Sequence, residues 1–63
     1  MKISIKAARI TKGMTQQEMA TSLGVTKKTV GSWENGITTP SINMIDPICT
    51  LLGVKYDDIK WKV

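Results

Sequence analysis

The fold of this chain of 63 residues is decided by residues 15–36, which read TQQEMATSLGVTKKTVGSWENG. Thr15 and Glu18 have the spacing of a capping box, in which the threonine hydroxyl accepts a hydrogen bond from a backbone amide and the glutamate reaches back to the cap. A helix is therefore expected to begin directly after Thr15 and to end at Gly24, where glycine suits a left-handed cap. Thr26 is the N-cap candidate of the next helix.

The link between these two helices is short. Only residues 23–26, LGVT, join them, so the helices must cross at a steep angle, which is the geometry of a helix-turn-helix motif over about residues 16–35. Ala20 is small enough to let the second helix approach closely, and Val30 is its expected neighbour. The predicted core of the motif consists of Met19, Ala20, Leu23, Gly24, Val25, Val30 and Trp33.

The segments on either side of the motif also carry apolar residues at helical spacings. A first helix is predicted to end near Gly13, a fourth covers residues 41–53, and residues 54–59 form a final short turn. No internal repeat or linker interrupts the chain. The sequence thus predicts an all-α protein, a compact bundle of four to five short helices that forms one domain over residues 1–63.

Pro47 disturbs the pattern of the fourth helix. Counted from Ser41 as the N-cap, it falls at the sixth helical position, where its missing amide removes an internal hydrogen bond. The fourth helix is therefore expected either to begin later, with Asn43 as its cap, or to kink at the proline.

Two short stretches near the chain ends alternate between apolar and polar residues. Ile3 and Ile5 do so at the beginning, and Ile59, Trp61 and Val63 do so at the end. This period of two is typical of strands. It is compatible with a two-stranded pairing, either within one monomer or between two subunits.

Composition excludes several classes of protein. With no histidine and one cysteine, Cys49, the chain offers no His-based catalytic triad, zinc site or internal disulfide, and we expect neither an enzyme nor a bound cofactor. No apolar stretch approaches the about 20 residues that span a bilayer, and no signal peptide is recognisable, which predicts a cytoplasmic protein without a membrane partner. Nine basic against five acidic residues give a net charge of +4, which favours a polyanionic partner.

The third helix has a charge pattern that opposes its own stability. Lys27 and Lys28 occupy its first turn, where the helix dipole is positive and each cation costs about 0.3–1 kcal/mol. Gly31 in the middle of the helix costs roughly another 0.5–1 kcal/mol relative to alanine. These three residues share one face with Ser32, opposite the apolar face. A face of this kind can approach an anionic surface closely.

The ordered set of motifs resembles the Cro/CI-type (XRE-like) helix-turn-helix family of phage and bacterial repressors. The resemblance covers nearly the whole chain and is carried by residues 15–20 (TQQEMA), 23–26 (LGVT), 33–36 (WENG) with Pro40 behind them, 52–54 (LGV) and 57–59 (DDI). It implies a lambda-repressor-like DNA-binding domain. The expected function is that of a sequence-specific regulator of transcription that binds a double-stranded DNA operator, a repressor of phage or mobile-element type.

The resemblance also assigns roles to individual residues. In this family the recognition helix, here about residues 27–34, reads base edges in the major groove, and the residues implied for base contact are Lys27, Lys28, Thr29 and Ser32. Phosphate contacts are implied for Gln16, Asn35, Thr38 and Thr39. A partly buried ion pair between Arg9 and Glu34 is implied as a structural element that orients the third helix against the first.

A homodimer, at least on DNA, is a further expectation from the resemblance, because helix-turn-helix dimers read two half-sites about 34 Å apart. The interface is expected on the last helices or on the tail, and the candidate residues are Ile45, Tyr56, Ile59, Trp61 and Val63. Trp61 has two interpretations, because it either covers the core of the monomer or anchors the dimer.

A second function class stays open beside the DNA-binding regulator. The same fold serves as a protein-interaction module, for example an antitoxin that sequesters a toxin and also binds DNA. A toxin partner is the less favoured hypothesis. Salt dependence separates the two, since contacts to phosphates weaken with log[salt] at a slope near −0.9 for each phosphate neutralised.

Overall fold

The computed structural model describes residues 2–62. It contains four α-helices, a short 3₁₀ turn and a two-stranded sheet. Their bounds are β1 Ile3–Ser4, α1 Ile5–Thr11, α2 Gln16–Leu23, α3 Lys27–Glu34, α4 Ile42–Leu52, the 3₁₀ turn Tyr56–Asp58 and β2 Ile59–Lys60. The predicted helical fold is confirmed, with α2 and α3 as the helix-turn-helix pair.

Local capping sets the ends of α2 as the sequence predicts. The Glu18 amide donates to the Thr15 hydroxyl at 3.0 Å, and the Thr15 amide donates to the Glu18 carboxylate at 2.9 Å. Gly24 ends the helix with a φ of 73°, a left-handed conformation that favours glycine. At the start of α3, the Thr26 hydroxyl accepts from the Thr29 amide at 3.2 Å.

A single apolar core holds the elements together. Its fully buried members come from every layer of the fold, and the largest are Ile5, Met19, Val30, Ile48 and Ile59. Of the residues predicted for the core of the motif, Met19, Ala20, Val30 and Trp33 are buried, Leu23 and Val25 pack against the core from its edge, and Gly24 lies exposed in the turn. The apolar core therefore holds the α2–α3 pair by its inner side.

Pro47 lies inside α4, which begins at Ile42 with Ser41 at the N-cap position. Of the two alternatives for α4, the later start with Asn43 as the cap is therefore wrong. Because Pro47 has no backbone N–H, the Asn43 carbonyl lacks its usual helical hydrogen-bond donor. Asn43 and Pro47 are both exposed. Water can satisfy that carbonyl, so the helix tolerates the proline on its solvent side.

The two ends of the chain pair as parallel strands within the monomer, with Ile3 opposite Ile59 and Ser4 opposite Lys60. Of the two predicted arrangements, pairing between subunits is not needed to form this sheet. Ile59 has no exposed surface, because its side chain packs into the core from β2. It therefore cannot form part of the expected dimer surface, and this prediction is wrong for Ile59. Val63, another candidate for that surface, lies outside the described residues.

The longest helix, α4, has 11 residues. Within residues 2–62, no helix combines the length and hydropathy that crossing a bilayer requires.

Candidate nucleic-acid interface

The turn between α2 and α3 fixes how the second helix projects from the first. The Val25 amide donates to the Ala20 carbonyl at 3.0 Å, and the Gly24 amide donates to the Thr21 carbonyl at 3.3 Å. Ala20 and Val30 are both completely buried, as expected where two helices approach closely. The opposite face of α3 is left at the surface.

That outer face of α3 forms one side of an open groove of about 430 Å³. The residues that line it come from the start of α2, from α3 and from the loop after α3. They are Gln16, Lys27, Lys28, Gly31, Ser32, Asn35 and Ile37. The structure thus brings together three of the four residues implied for base contact and two of the four implied for phosphate contact.

The remaining implied contacts lie near the groove but do not line it. Thr29 is half-buried, and its hydroxyl shares a hydrogen bond of 2.9 Å with the Thr26 hydroxyl, so it is committed to the cap of α3. Thr38 and Thr39 are exposed in the loop after α3. Ile37 does line the groove, although the sequence assigned it no role. The one signal for it was an apolar residue in an otherwise polar loop.

Gly31 forms the floor of the groove. A Cβ atom at this position would lie 3.9 Å from the Gln16 side-chain nitrogen and 4.0 Å from its oxygen. These distances are ordinary van der Waals contacts, so steric overlap does not require a glycine here. Its absent side chain instead leaves bare backbone between Gln16 and the lysines.

The rim of the groove carries positive charge without compensation from the protein. Lys27 and Lys28 are exposed in the first turn of α3, which contains no acidic residue. Within residues 2–62, neither lysine forms an ion pair; the pair that is found joins Arg9 and Glu34. The lysines add their charge to the positive end of the helix dipole. The site therefore presents an anion-attracting surface at the tip of α3.

At the C-terminal end of α3, a partly buried network of hydrogen bonds joins Arg9, Gln16 and Glu34. Arg9 Nε lies 2.7 Å from Glu34 Oε2, and a second guanidinium nitrogen donates to Oε1 at 3.3 Å. The third nitrogen of Arg9 donates to the Met14 carbonyl at 2.7 Å. Gln16 Nε2 donates to Glu34 Oε1 at 2.9 Å. One carboxylate thus connects α1, the start of α2 and the end of α3.

The protonation equilibrium of Glu34 reflects this network. Its side chain is only 2% exposed, and burial by itself raises the pKa. The hydrogen bonds from Arg9 and Gln16, together with the positive charges of Arg9 and Lys6, outweigh burial and hold the pKa of Glu34 below its ordinary value of 4.5. The carboxylate is therefore ionised at neutral pH and keeps its three hydrogen bonds.

Of the residues expected at a dimer surface, Ile45 lies in α4, whereas Tyr56, Ile59 and Trp61 lie in or after the 3₁₀ turn. The rings of Tyr56 and Trp61 stack with centroids 5.6 Å apart, and the Trp61 indole donates to the Tyr56 carbonyl at 3.0 Å. Trp61 packs against the core, which favours the interpretation that it covers the monomer. Tyr56 is 55% exposed, and Ile45 is half-buried.

Fold and groove together define a helix-turn-helix domain in which the outer face of α3 is open. The sequence matches the helix-turn-helix family HTH_3 over residues 5–59. The chain belongs to this XRE-like family of DNA-binding transcription regulators. No solved structure matches the chain at a significant level.

Three curated relatives illustrate the range of the family. The chain is 33% identical to the "uncharacterized HTH-type transcriptional regulator YgzD" of Bacillus subtilis, over 97% of this chain and 92% of YgzD. It is 36% identical to the prophage SPbeta-derived regulator YonR of the same organism, over 84% of this chain and 49% of YonR. It is 38% identical to "Antitoxin PezA" of Streptococcus pneumoniae, over 89% of this chain but only 35% of PezA. The chain thus spans about a third of PezA's length and almost all of YgzD's.

Proposed function

We propose that this chain is a cytoplasmic, sequence-specific transcriptional repressor that inserts α3 into the major groove of a double-stranded DNA operator. The observation that carries the proposal is that Lys27 and Lys28, at the positive tip of α3 beside a groove with a glycine floor, form no ion pair within residues 2–62. α3 has eight residues, and an α-helix with its side chains is about 10–12 Å in diameter, which fits a major groove about 12 Å wide.

The groove supplies two kinds of contact. Lys27 and Lys28 can donate to O6 and N7 of guanine, and the Ser32 hydroxyl can bond to several base edges. Gln16 and Asn35 stand on the flanks of the groove, where amide groups reach phosphates and fix the register of the helix. Thr38 and Thr39 extend this set along the exposed loop.

The protein acts as a homodimer on an operator of a phage or mobile element. In such a dimer the two α3 helices enter major grooves one turn of DNA apart, about 34 Å, and the twofold axis makes the two half-sites palindromic. Tyr56 and Ile45 are the described candidates for the dimer contact. The relative YonR, whose name places it in a prophage, supports the mobile-element origin.

Binding to an operator selected from a random duplex library tests the proposal. Loss of a base-reading lysine in Lys27→Ala or Lys28→Ala should cost about 1–3 kcal/mol and relax the preference at one operator position. Loss of a phosphate-contacting lysine should weaken binding to all sequences equally and flatten the salt slope by about one.

Lys55→Ala is the matched control, because Lys55 is exposed but does not line the groove. If neither groove lysine changes affinity more than this control does, α3 is not the recognition element. If the protein forms no complex with duplex DNA at low ionic strength, it is not a DNA-binding repressor.

The antitoxin function is the second candidate, and the likeness to PezA favours it. A toxin would then be a protein partner held largely by buried contacts. The product of the gene next to this one is the natural probe. A complex with that product that keeps its affinity between low and high salt would support the antitoxin function, whereas a complex with DNA alone would support the repressor.

A further inference from the structure

Ile37 has the one apolar side chain among the described residues that line the groove. The other lining residues offer ammonium, amide or hydroxyl groups, or no side chain at all. Ile37 is 72% exposed. Single exposed apolar residues are common on soluble proteins and need no explanation by themselves. What distinguishes Ile37 is its position beside Lys27, Lys28 and Ser32 on the recognition face.

The backbone holds Ile37 in a defined place against the end of α3. Its amide donates to the Ser32 carbonyl at 3.0 Å, and the Thr38 amide approaches the same carbonyl at 3.4 Å. Gly36 makes the preceding turn with a φ of 75°, and its amide donates to the Trp33 carbonyl at 3.3 Å. The side chain is also β-branched and therefore stiff at χ1. Its methyl groups are presented to the groove by a fixed turn.

We propose that Ile37 is a specificity-determining residue that packs on the C5 methyl group of a thymine in the operator. An aliphatic side chain cannot donate to a phosphate or to a base edge. The apolar group that a major groove displays is the thymine methyl. Ile37 adds a contact of a chemistry that Lys27, Lys28 and Ser32 cannot provide. This inference rests on the proposed function, since it requires α3 in the major groove.

Deoxyuridine substitution isolates the methyl group, because uracil differs from thymine only at C5. The probe is the operator selected from a random duplex library, with each thymine replaced in turn. For the wild-type protein, one replacement should weaken binding about fourfold, the equivalent of one buried methyl group. In Ile37→Ala the same replacement should have no effect. Ile37→Val keeps two methyl groups and should restore much of the discrimination.

Ile10→Ala is the matched control. Ile10 is also exposed, at 56%, but lies on α1 outside the groove, so its variant should keep the wild-type response to deoxyuridine. Thermal melting of Ile37→Ala should match the wild type, because the side chain contributes little to the core. A loss of affinity in a protein that melts normally then belongs to the interface.

Two results would overturn the inference while leaving the repressor in place. The first is a deoxyuridine effect that persists unchanged in Ile37→Ala. The second is an Ile37→Ala protein that loses the same affinity on every duplex, thymine or uracil, which would assign Ile37 to the sugar-phosphate backbone. Failure of the wild-type protein to bind any selected duplex overturns the proposed function itself, and the thymine contact with it.

Discussion

Replacement of Gly31 by alanine should make the protein more stable and a weaker DNA binder. Gly31 lies in the middle of α3 with a helical φ, and its missing Cβ faces the groove. The nearest atoms to an added Cβ would belong to the Gln16 side chain, at 3.9 and 4.0 Å. No clash opposes the substitution in the free protein.

The gain in stability follows from helix propensity. Alanine is favoured over glycine by about 0.8–1.0 kcal/mol in a helix interior, and for a domain of this size about 1 kcal/mol raises the melting temperature by roughly 4–8 °C. Circular dichroism at increasing temperature measures the shift. Thr50→Ala provides the comparison, because Thr50 is exposed in α4 and the change raises helix propensity without touching the groove.

The loss of affinity follows from the methyl group that alanine adds at position 31. It occupies the floor of the groove, where the bare backbone of Gly31 allows a duplex to approach α3. Losing one good base contact costs about 1–3 kcal/mol, which corresponds to about 5- to 150-fold in Kd. Fluorescence anisotropy with the selected operator measures the change, and Thr50→Ala should bind like the wild type.

The two measurements test separate steps of the reasoning. A Gly31→Ala protein that melts at a lower temperature would show that α3 needs glycine for a structural reason that the Cβ distances do not reveal. A protein that melts higher and binds the operator as tightly as the wild type would show that DNA does not approach the floor of this groove. Either outcome refutes the account given for Gly31.

Three further predictions concern the interior. Glu34→Ala should cost about 3–5 kcal/mol of unfolding free energy, because it leaves Arg9 buried without its partner; a melting curve like the wild type's would contradict this. The folded-state pKa of Glu34 is lowered. The stability that its ionised carboxylate contributes is therefore full above the unfolded-state pKa and is lost as pH falls through the folded-state pKa. In denaturant titrations, the difference in unfolding free energy between wild type and Glu34→Gln should shrink from pH 7 towards pH 3. Cys49 should react slowly with iodoacetamide at pH 7, since burial, with Asp46 and Asp58 nearby, raises the pKa of its thiol; a rate equal to that of free cysteine would refute this.

Features set by neighbouring residues were predictable from the sequence. The capping box of Thr15 and Glu18, the left-handed Gly24 and the cap at Thr26 each depend on contacts within three or four residues. The apolar spacing of Met19, Ala20 and Val30 is likewise a local property, and it gave both the helix pair and its buried face.

Features set by distant contacts were not predictable in the same way. The sequence allowed strand pairing at the chain ends but did not decide between pairing within one monomer and pairing between two subunits. That outcome depends on where the chain after α4 places Ile59. Burial of Ile59 follows from its register opposite Ile3. The place of Ile37 in the groove was not predicted, because it depends on the turn at Gly36, which puts an exposed loop residue beside α3.

The charges at the two ends of α3 are balanced in different ways. Lys27 and Lys28 lie at the positive end of the helix dipole and Glu34 lies at the negative end, so both ends carry the sign that the dipole disfavours. Inside the protein, Arg9 neutralises the unfavourable anion, and Gln16 donates a further hydrogen bond to it. The unfavourable cations receive no such partner among the described residues. A helix whose basic tip has no anionic partner within residues 2–62 is most stable when an external anion covers that tip, and under the proposed function the DNA duplex supplies this negative charge.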